Sequence, residues 1–416
     1  MKIAILGAGI VGVATAYELA CDGHEVTVVE RHASVAEGAS FANAGVLAPG
    51  YVTPWAAPGM PGKVLRQLLT KHASVRVSRP LSGGDIAWMR RWLRACDADT
   101  YLANRARLQR LAFYSRQRLN EVAGRMAYDF DRSNGYMVLL RSDKDRAMVQ
   151  PGLAVLRELG VAFHDISADE ARQIEPALHP GTPLAGAVHL PQDEVANCRQ
   201  FAVILRDAAQ GLGARFLFNN AVTRMDQAQA ASVFVANQLT PQRFDAVVLC
   251  AGAQSAALLR PLGIDLPLRP VYGYSISAHI PEPVHAPRSG VMDERYKVAI
   301  TRMGQRVRVA GSAEIGGRPD AINHRAVQTL YKVLDDWYPG AARLSRGVQV
   351  WKGARPMLPD GPPVLGASGV PGVWLNLGHG SSGWALACGS ARVLADQIAG
   401  REPAIDTSGY NVGRYR

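Results

Sequence analysis

Three glycines and one acidic residue near the start of the chain have the spacing of a dinucleotide-binding loop. The glycines form Gly7-x-Gly9-x-x-Gly12 directly after the apolar residues 3–6, and Glu30 ends a second apolar run at 24–29. In such a loop the first glycine permits a tight turn, the second lets the backbone approach a pyrophosphate, and the third lets a helix pack close to the strand. The N–H groups at the start of that helix bind phosphate. We therefore predict a dinucleotide site here, with Glu30 accepting hydrogen bonds from a ribose.

A second glycine-rich turn, residues 378–383, joins an apolar stretch at 373–377 to a helix expected at 384–399. No second phosphate motif accompanies this turn. The start of its helix could stabilise the negative charge on the N1–C2=O edge of a reduced flavin. The alternative is an ordinary strand–helix connection with glycine caps, in which His379 is a packed histidine.

Arg355 is the main candidate for binding an acidic group. It lies in an otherwise apolar turn, 351–360, that is bounded by prolines. A guanidinium held there can take a carboxylate by two parallel hydrogen bonds. The alternative is a structural ion pair with Asp360. Tyr274 and Tyr296 lie in a β-rich stretch, and either could bind a substrate or simply pack.

The elements expected around these residues mix strands and helices. Apolar runs at 214–218 and 244–250 predict further strands, and residues 86–125 have helical periodicity and composition. Residues 50–59 contain too many prolines for a helix and predict a long ordered loop, a candidate lid over the site. Nucleotide-type elements recur at both ends and in the middle of the chain, which indicates two interleaved domains of the α/β class.

Length and composition exclude several other classes. A chain of 416 residues favours two domains. No apolar run approaches the roughly 20 residues that span a bilayer, and acidic residues interrupt the first thirty residues, unlike an export signal. We therefore expect a cytoplasmic protein, or one at the cytoplasmic face of the inner membrane. Five scattered cysteines and ten histidines without ligand spacing do not support a disulfide framework or a metal site.

The net charge of +11 is concentrated in residues 60–118, which hold 13 lysines and arginines against three aspartates. An ordinary solvated helix face would explain this segment. The alternative is a peripheral membrane surface, where basic groups attract anionic lipid and apolar side chains insert shallowly. No nucleic-acid-binding module accompanies the charge, and we expect no nucleic-acid partner. The apolar residues interleaved in the segment are Leu65, Leu68, Leu69, Trp88, Met89, Trp92 and Leu93.

Several longer motifs together resemble one known family. They are GAGIVGVA at 7–14, ASFANAG at 39–45, PGY at 49–51 with PWAAPG at 54–59, LPQDE at 190–194, GYS at 273–275, DERYKVAITR at 293–302, GARPMLPDG at 353–361 and LGHGSSGWALACGS at 377–390. Over its whole length the chain resembles the bacterial D-amino acid dehydrogenase small-subunit family, FAD enzymes of the D-amino acid oxidase superfamily.

The resemblance implies a Rossmann-like FAD-binding domain of the glutathione-reductase type, interleaved with a mixed-sheet α+β substrate domain. It assigns residues 1–90, 145–258 and 348–416 to the first domain, and 91–144 and 259–347 to the second. The Arg355 stretch has no cysteine, so noncovalent FAD is expected. The residues implied at the cofactor are Gly7, Gly9, Ile10, Val11, Gly12, Glu30, Arg31, Ser40, Asn43, Ala44, Gly45, Val222, Gly252, Gly378, His379, Gly380, Ser381, Ser382 and Gly383.

The resemblance also implies a reaction. Arg355 would hold the substrate carboxylate, assisted by Tyr274, by the lid residue Tyr51 and by Tyr296. The α-hydrogen of a D-amino acid with a neutral amine would leave as hydride to flavin N5, and the imino acid would hydrolyse to a 2-oxo acid and ammonia. The electrons would pass to a quinone or another non-oxygen acceptor of the respiratory chain.

Two departures from the family pattern put the substrate in question. This chain has Val195-Ala196-Asn197 where the family usually has Thr-Gly-Asp, and Val46 where it often has Gln. One alternative is therefore oxidation of a secondary or cyclic amino acid, such as D-proline, hydroxyproline or sarcosine, or of glycine. Another is a FAD-carrying electron-transfer subunit without its own substrate. An NAD-dependent enzyme is disfavoured, because it leaves the C-terminal glycine turn without a role.

Overall fold

The computed structural model of the chain describes residues 1–67, 70–126, 128–225, 231–236 and 240–415. The strands are β1 Lys2–Leu6, β2 Glu25–Val29, β3 Val46–Leu47, β4 Val75–Ser78, β5 Ser133–Leu140, β6 His164–Ile166, β7 Gly186–Val195, β8 Arg215–Leu217, β9 Val222–Met225, β10 Ser232–Val235, β11 Gln242–Arg243, β12 Ala246–Leu249, β13 Arg269–His279, β14 Gly290–Asp293, β15 Val298–Met303, β16 Arg306–Gly316, β17 Gln349–Met357, β18 Val364–Ala367 and β19 Val373–Leu377.

The α-helices connect these strands and cover their faces. They are α1 Ile10–Cys21, α2 Met60–Gln67, α3 Gly83–Arg94, α4 Ala98–Gly124, α5 Asp143–Glu158, α6 Ala168–Ile174, α7 Cys198–Gly211, α8 Ser255–Leu259, α9 His324–Trp337 and α10 Gly383–Ile398.

One sheet carries the N-terminal motif. Within the described residues it has six strands in the order β18-β19-β12-β1-β2-β8, parallel except for β18 against β19. The central strand β1 is buried on both faces, which explains its uninterrupted apolar sequence. Strands β1, β2, β12 and β19 end directly before Gly7, Glu30, Cys250 and Gly378. Because parallel strands share their carboxyl edge, these residues meet at the edge where such sheets bind ligands.

The second sheet is larger and mixed. Across the part of the chain that the structure describes, its strands run β17-β13-β16-β15-β14-β5-β7-β3, with β4 beside β16 and β6 beside β7. Five of these strands, β3, β4, β6, β7 and β17, lie in sequence within the predicted FAD-binding segments. Their sheet membership therefore differs from the predicted boundaries. Pairing between residues far apart in sequence decides it, and local periodicity does not reveal that pairing.

The helices α1 and α10 are held together by a buried ion-pair network. The carboxylate of Glu18 in α1 is 1% exposed and accepts hydrogen bonds from Arg118 of α4, at 2.7 and 2.8 Å, and from Arg392 of α10 at 2.9 Å. A buried carboxylate is costly unless it is paired in this way. The network aligns the two helices that begin at the glycine-rich turns.

The helical segment predicted at 86–125 is two helices. Asp97 separates them, because its side chain accepts a hydrogen bond from the backbone N–H of Thr100 at 3.0 Å and so begins α4. A capping box of Ser82 and Asp85 begins α3.

The basic segment 60–118 presents only part of its apolar residues to solvent. Trp88 and Trp92 are 1% and 6% exposed and pack with Trp55, so their predicted insertion into lipid is wrong. Met89 is partly buried in the same cluster. Leu65 and Leu93 remain exposed, while Leu68 and Leu69 lie outside the described residues.

Candidate functional site

A single continuous cavity of about 1500 Å³ lies between the carboxyl edge of the first sheet and one face of the second. It is lined by most of the predicted cofactor residues and by Arg355, Tyr51 and Tyr274. Gly12, Gly45 and Tyr296 are the predicted residues that do not line it. The lining cofactor residues are Gly7, Gly9, Ile10, Val11, Glu30, Arg31, Ser40, Asn43, Ala44, Val222, Gly252, Gly378, His379, Gly380, Ser381, Ser382 and Gly383.

The three N-terminal glycines differ in what surrounds them. Gly7 has φ +103°, and a Cβ there would lie 2.7 Å from the carbonyl oxygen of Cys250. A Cβ on Gly12 would lie 1.9 Å from the carbonyl oxygen of Gly7, so the helix sits directly on the turn. Around Gly9 the nearest atom is Ser40 Oγ at 3.6 Å, and the rest of that space belongs to the cavity. Gly9 is therefore where a ligand can approach the backbone.

Glu30 is oriented by the backbone beside the loop. Its Oε2 accepts from the N–H of Ala8 at 2.7 Å and its Oε1 from that of His32 at 2.9 Å. These bonds fix the carboxylate at the end of β2, on the wall of the cavity. Its remaining lone pairs can accept hydrogen bonds from ribose hydroxyl groups.

The segment 40–45 forms the wall that follows the dinucleotide loop. Ser40 Oγ accepts a hydrogen bond from Ile10 N–H at 3.1 Å. The backbone carbonyls of Asn43 and Ala44 accept from Arg308 at 3.1 Å and from Thr301 at 2.9 Å. Sequence reasoning missed both anchors, since they lie more than 250 residues away and no short motif connects them to the segment.

The C-terminal turn presents a second helix start to the cavity. Gly378 and Gly380 have φ +80° and +57°, a conformation that favours glycine. No side chain caps the start of α10 and its first turn has no acid, so its N–H groups and its positive end are free to face a ligand. His379 is buried and bonds Ser390 Oγ at 3.0 Å, and burial lowers its pKa to about 3. It is a neutral, packed histidine at the cavity wall.

Two positive helix ends, a glycine cradle and an oriented carboxylate fit the parts of FAD. With FAD bound, the start of α1 would hold the phosphates, Glu30 would accept from a ribose, and the start of α10 would stabilise the flavin edge whose charge becomes negative on reduction. The described residues contain no group of histidines, cysteines and acids that could hold a metal ion.

Arg355 on β17 is a cation without an acidic partner among the described residues. Its guanidinium lies across Gly273, where a Cβ would be 2.3 Å from Nη2. Nη1 donates to the carbonyl oxygens of Ser312 at 2.8 Å and of Tyr272 at 3.5 Å, and among the described residues no hydrogen-bond partner is seen for Nε or Nη2. Burial lowers the pKa of Arg355 to about 10, so the group stays charged at neutral pH.

The alternative pairing of Arg355 with Asp360 is wrong. Asp360 pairs instead with Arg414 at 3.0 Å and accepts a hydrogen bond from Tyr415. Arg414 thus neutralises Asp360, which was a candidate partner for Arg355 because it is close in sequence. Arg355 is left free for a ligand.

The three candidate tyrosines differ in their surroundings. Tyr274 lines the cavity, but its hydroxyl donates to Glu314, whose carboxylate also pairs with Lys352 at 3.3 Å. The hydroxyl proton of Tyr274 is therefore not directed at a substrate. Sequence reasoning missed Glu314 and Lys352, which no motif marks. Tyr296 packs under Arg141, whose guanidinium is 5.1 Å from the ring, and its side chain is not among those that line the cavity.

The predicted lid is an ordered loop that carries a polar cluster. The Tyr51 hydroxyl donates to Glu294 and accepts from Lys297 Nζ at 3.2 Å, and Glu294 and Lys297 pair with each other. Trp55 anchors the far side of the loop against Trp88 and Trp92, with ring centroids 5.9 and 5.5 Å apart. Tyr51 thus covers the cavity in a fixed position.

A buried acid below the lid predicts a pH effect on stability. Asp193 is 3% exposed, and burial raises its pKa to about 7 although Arg116 lies 3.5 Å away. An unfolded Asp titrates near pH ~3.9, so the raised folded pKa favours the neutral form, and stability is lost as the pH rises from about 4 through 7.

We expect Asp193→Asn to melt several degrees above the wild type at pH 8, with the gap closing toward pH 4, in thermal melts across that range. Asp207→Asn, which changes an exposed acid, should melt in parallel with the wild type. A gap for Asp193→Asn that does not depend on pH would contradict the assignment.

Together the fold and the site define a flavin-dependent oxidoreductase. A family model described as DAO, FAD dependent oxidoreductase, matches residues 2–397. The chain belongs to this family, and FAD is its cofactor.

Similar proteins cover the whole chain. A protein named D-amino acid dehydrogenase from Bradyrhizobium diazoefficiens is 42% identical, covering 100% of this chain and 99% of the relative. One of the same name from Cereibacter sphaeroides is 43% identical, with 100% and 95% covered. Glycine oxidase from Geobacillus kaustophilus has a TM-score of 0.75 at 22% identity, with 99% of this chain and 98% of that chain covered. Iminodiacetate oxidase from a Chelativorans species also reaches 0.75 at 22% identity, with 98% of each chain covered.

No helix within the described ranges is long and apolar enough to cross a membrane.

Proposed function

We propose that this protein oxidises D-amino acids to 2-oxo acids and ammonia. The observation that carries the proposal is Arg355, a half-buried guanidinium that lines the cavity and has no acid partner in the described part of the chain. A substrate carboxylate supplies the missing charge and can occupy two N–H donors at once. The names of the relatives support a D-amino acid rather than another carboxylate.

The residues of the chain act by binding and orientation. FAD, when bound, supplies the oxidant: the α-hydrogen of the substrate leaves as hydride to N5. Arg355 sets the position of the α-carbon, and such orientation alone can contribute ~7–11 kcal/mol to catalysis. Tyr274, held by Glu314, forms part of the wall, and Tyr51 covers the site against water. No protein base needs to act on the α-carbon, and the imino acid hydrolyses in water.

In this proposal each of the two sheets binds one ligand. The six-stranded sheet holds the noncovalent cofactor at its carboxyl edge, and the larger sheet holds the substrate on its face. The segments 46–47, 75–78, 164–166, 186–195 and 349–357 then belong with the substrate domain, because their strands pair within the larger sheet.

Anaerobic mixing of the purified protein with amino acids tests the function. We expect D-amino acids to bleach the flavin absorbance band and their L-enantiomers to leave it unchanged. Bleaching by sarcosine, glycine or cyclic imino acids alone would replace this proposal by secondary-amine oxidation. Bound flavin that none of them bleaches would indicate an electron-transfer subunit.

The electron acceptor in this proposal is a quinone of the membrane, reached from the cytoplasmic side. The outer face of α3 supports membrane contact, since Ile86 and Leu93 are 44% and 50% exposed beside the exposed Arg90 and Arg94. The protein should float with anionic liposomes at low salt and be released at high salt. Absence of flotation at low salt would remove membrane contact from the proposal.

A further inference from the structure

The cavity extends well beyond the dinucleotide loop and Arg355. Its far part, here called the α4–α5 compartment, lies between those two helices and strands β5 and β7. The walls of the compartment are largely apolar. They are formed by Leu102 of α4, Met148, Val149, Leu153 and Leu156 of α5, Val138 of β5, and Val188 and Leu190 of β7.

The compartment adjoins the segment that forms the flavin wall. Val46 directly follows residues 43–45, lines the cavity and packs against the apolar cluster of β5, β7 and α5. Tyr51 and Tyr136 stand between the two parts, with ring centroids 6.2 Å apart. A ligand in the compartment is therefore next to the flavin wall without passing Arg355.

Two cations that line the cavity, Arg105 and Lys63, form no ion pair with an acid in the described chain. Arg105 is 3% exposed, donates to the Tyr101 hydroxyl at 3.2 Å and to the Gly152 carbonyl at 3.1 Å, and has a buried Nε without a partner. Lys63 also lines the cavity, and burial lowers its pKa although the charges of Glu294 and Asp145 act in the opposite direction. Lys297, by contrast, is paired with Glu294. Among the described residues neither Arg105 nor Lys63 forms an ion pair, and Nε of Arg105 has no hydrogen-bond partner.

The compartment lies several strands away from Arg355. The Arg355 guanidinium contacts β16, and strands β15 and β14 lie between β16 and β5. Three strand spacings correspond to roughly 14 Å, so a small amino acid bound at Arg355 would leave the compartment empty. The compartment is therefore open to a second ligand, one with an apolar body and with acceptor atoms for Arg105 and Lys63.

We infer that the α4–α5 compartment binds the second substrate, a quinone whose ring lies against the apolar wall and whose carbonyl oxygens accept hydrogen bonds from Arg105 and Lys63. The inference rests on the proposed function, because an oxidation that reduces the flavin needs an acceptor to remove two electrons. Two electrons and one proton leave the reduced flavin. The quinone takes up these and a second proton from water, and becomes the quinol.

The mouth of the compartment suits a ligand with an apolar tail. Leu102 and Met148 line the cavity and are each 49% exposed. Leu102 lies near the start of α4, which follows the basic and apolar face of α3 after three residues. A tail leaving at Leu102 would point to the part of the surface proposed to meet the membrane.

The test measures flavin reduction and flavin reoxidation separately in two variants, Arg105→Leu and Val149→Trp. The second variant fills the compartment without changing its charge. Decylubiquinone is the probe. In both variants we expect flavin reduction by D-amino acids to stay within about twofold of the wild type. Reoxidation by decylubiquinone should slow about ten- to a hundredfold for Arg105→Leu, the range for a lost hydrogen bond to a charged group. Arg110→Leu is the matched control. Arg110 lies on α4 like Arg105, but its side chain forms an exposed pair with Asp406, so this variant should match the wild type in both steps.

Binding of decylubiquinone to the oxidised protein, measured by calorimetry, provides a readout independent of turnover. The wild type should bind it, and both compartment variants should bind it about tenfold or more weakly. Slower flavin reduction by bulky D-amino acids with unchanged quinone steps would overturn the inference and make the compartment a side-chain pocket. A wild type that does not bind decylubiquinone would also overturn it. Failure of all amino acids to bleach the flavin would reject the proposed function alone, since calorimetry still tests the compartment.

Discussion

Replacing Arg355 by leucine is expected to lower kcat/KM for D-amino acids by roughly thirtyfold to several thousandfold. This range corresponds to the loss of one partner from a buried, hydrogen-bonded charge pair. The effect should be large because Arg355 lines the cavity, lies across Gly273 and has no acidic partner among the described residues, so a bound carboxylate would supply its counter-charge. Steady-state kinetics with the preferred D-amino acid measure it.

Arg355→Lys separates charge from geometry. Lysine keeps the positive charge but cannot form the two parallel bonds of a guanidinium, so its kcat/KM should fall between those of the wild type and Arg355→Leu. Arg302→Leu changes an arginine outside the cavity lining whose side chain donates to the carbonyl oxygen of Gly304, and should leave the kinetics unchanged. Equal kcat/KM for wild type and Arg355→Leu, in a protein that retains FAD, would exclude the carboxylate-binding role.

Two substitutions in the N-terminal loop are expected to remove FAD for different reasons. In Gly12→Ala the new Cβ would lie 1.9 Å from the backbone oxygen of Gly7, which cannot move without moving the turn. Such overpacking costs about 1–3 kcal/mol or more, so a lower melting temperature should accompany the loss of FAD. In Gly9→Val the added atoms enter the cavity, where only Ser40 is near. That variant should fold and yet purify without yellow colour.

The flavin-to-protein ratio and the thermal melt of the apoprotein distinguish these outcomes. Gly124→Ala is the control, because nothing lies within 4 Å of a Cβ at this position on α4; its flavin content should equal that of the wild type. Full FAD occupancy in Gly9→Val would show that the cofactor does not approach the chain there. A Gly12→Ala protein of unchanged stability would contradict the packing of α1 on the turn.

Much of the first sheet follows from local sequence. The run 3–6, the spacing of Gly7, Gly9 and Gly12, and the acid at position 30 each act within a few residues of their own position. Backbone conformation and helix capping act over such distances. The same is true of the C-terminal turn, where the predicted helix start faces the cavity. Residues with local roles could therefore be assigned to the correct elements.

Side-chain partners could not be assigned in the same way. Asp360 is five residues from Arg355, yet its partner is Arg414 near the chain end. Trp88 and Trp92 occur in a basic segment, yet they pack with Trp55. The hydroxyl of Tyr274 bonds Glu314 on the neighbouring strand. Each of these contacts depends on which strands and loops become neighbours, and no periodicity in the sequence encodes that.

By itself, the sequence determined the dinucleotide loop, the FAD cofactor implied by the family motifs and the α/β class, because these depend on short-range backbone geometry. The tertiary structure alone decided that Arg355 has no acidic partner in the described chain, that Tyr296 does not line the cavity, and that strands from the N-terminal half join the larger sheet. It also placed Arg105 and Lys63 in the cavity wall without an ion-pair partner among the described residues. The reason is physical: whether a charge is paired depends on every chain segment that folds against it, and those segments come from the whole length of the protein.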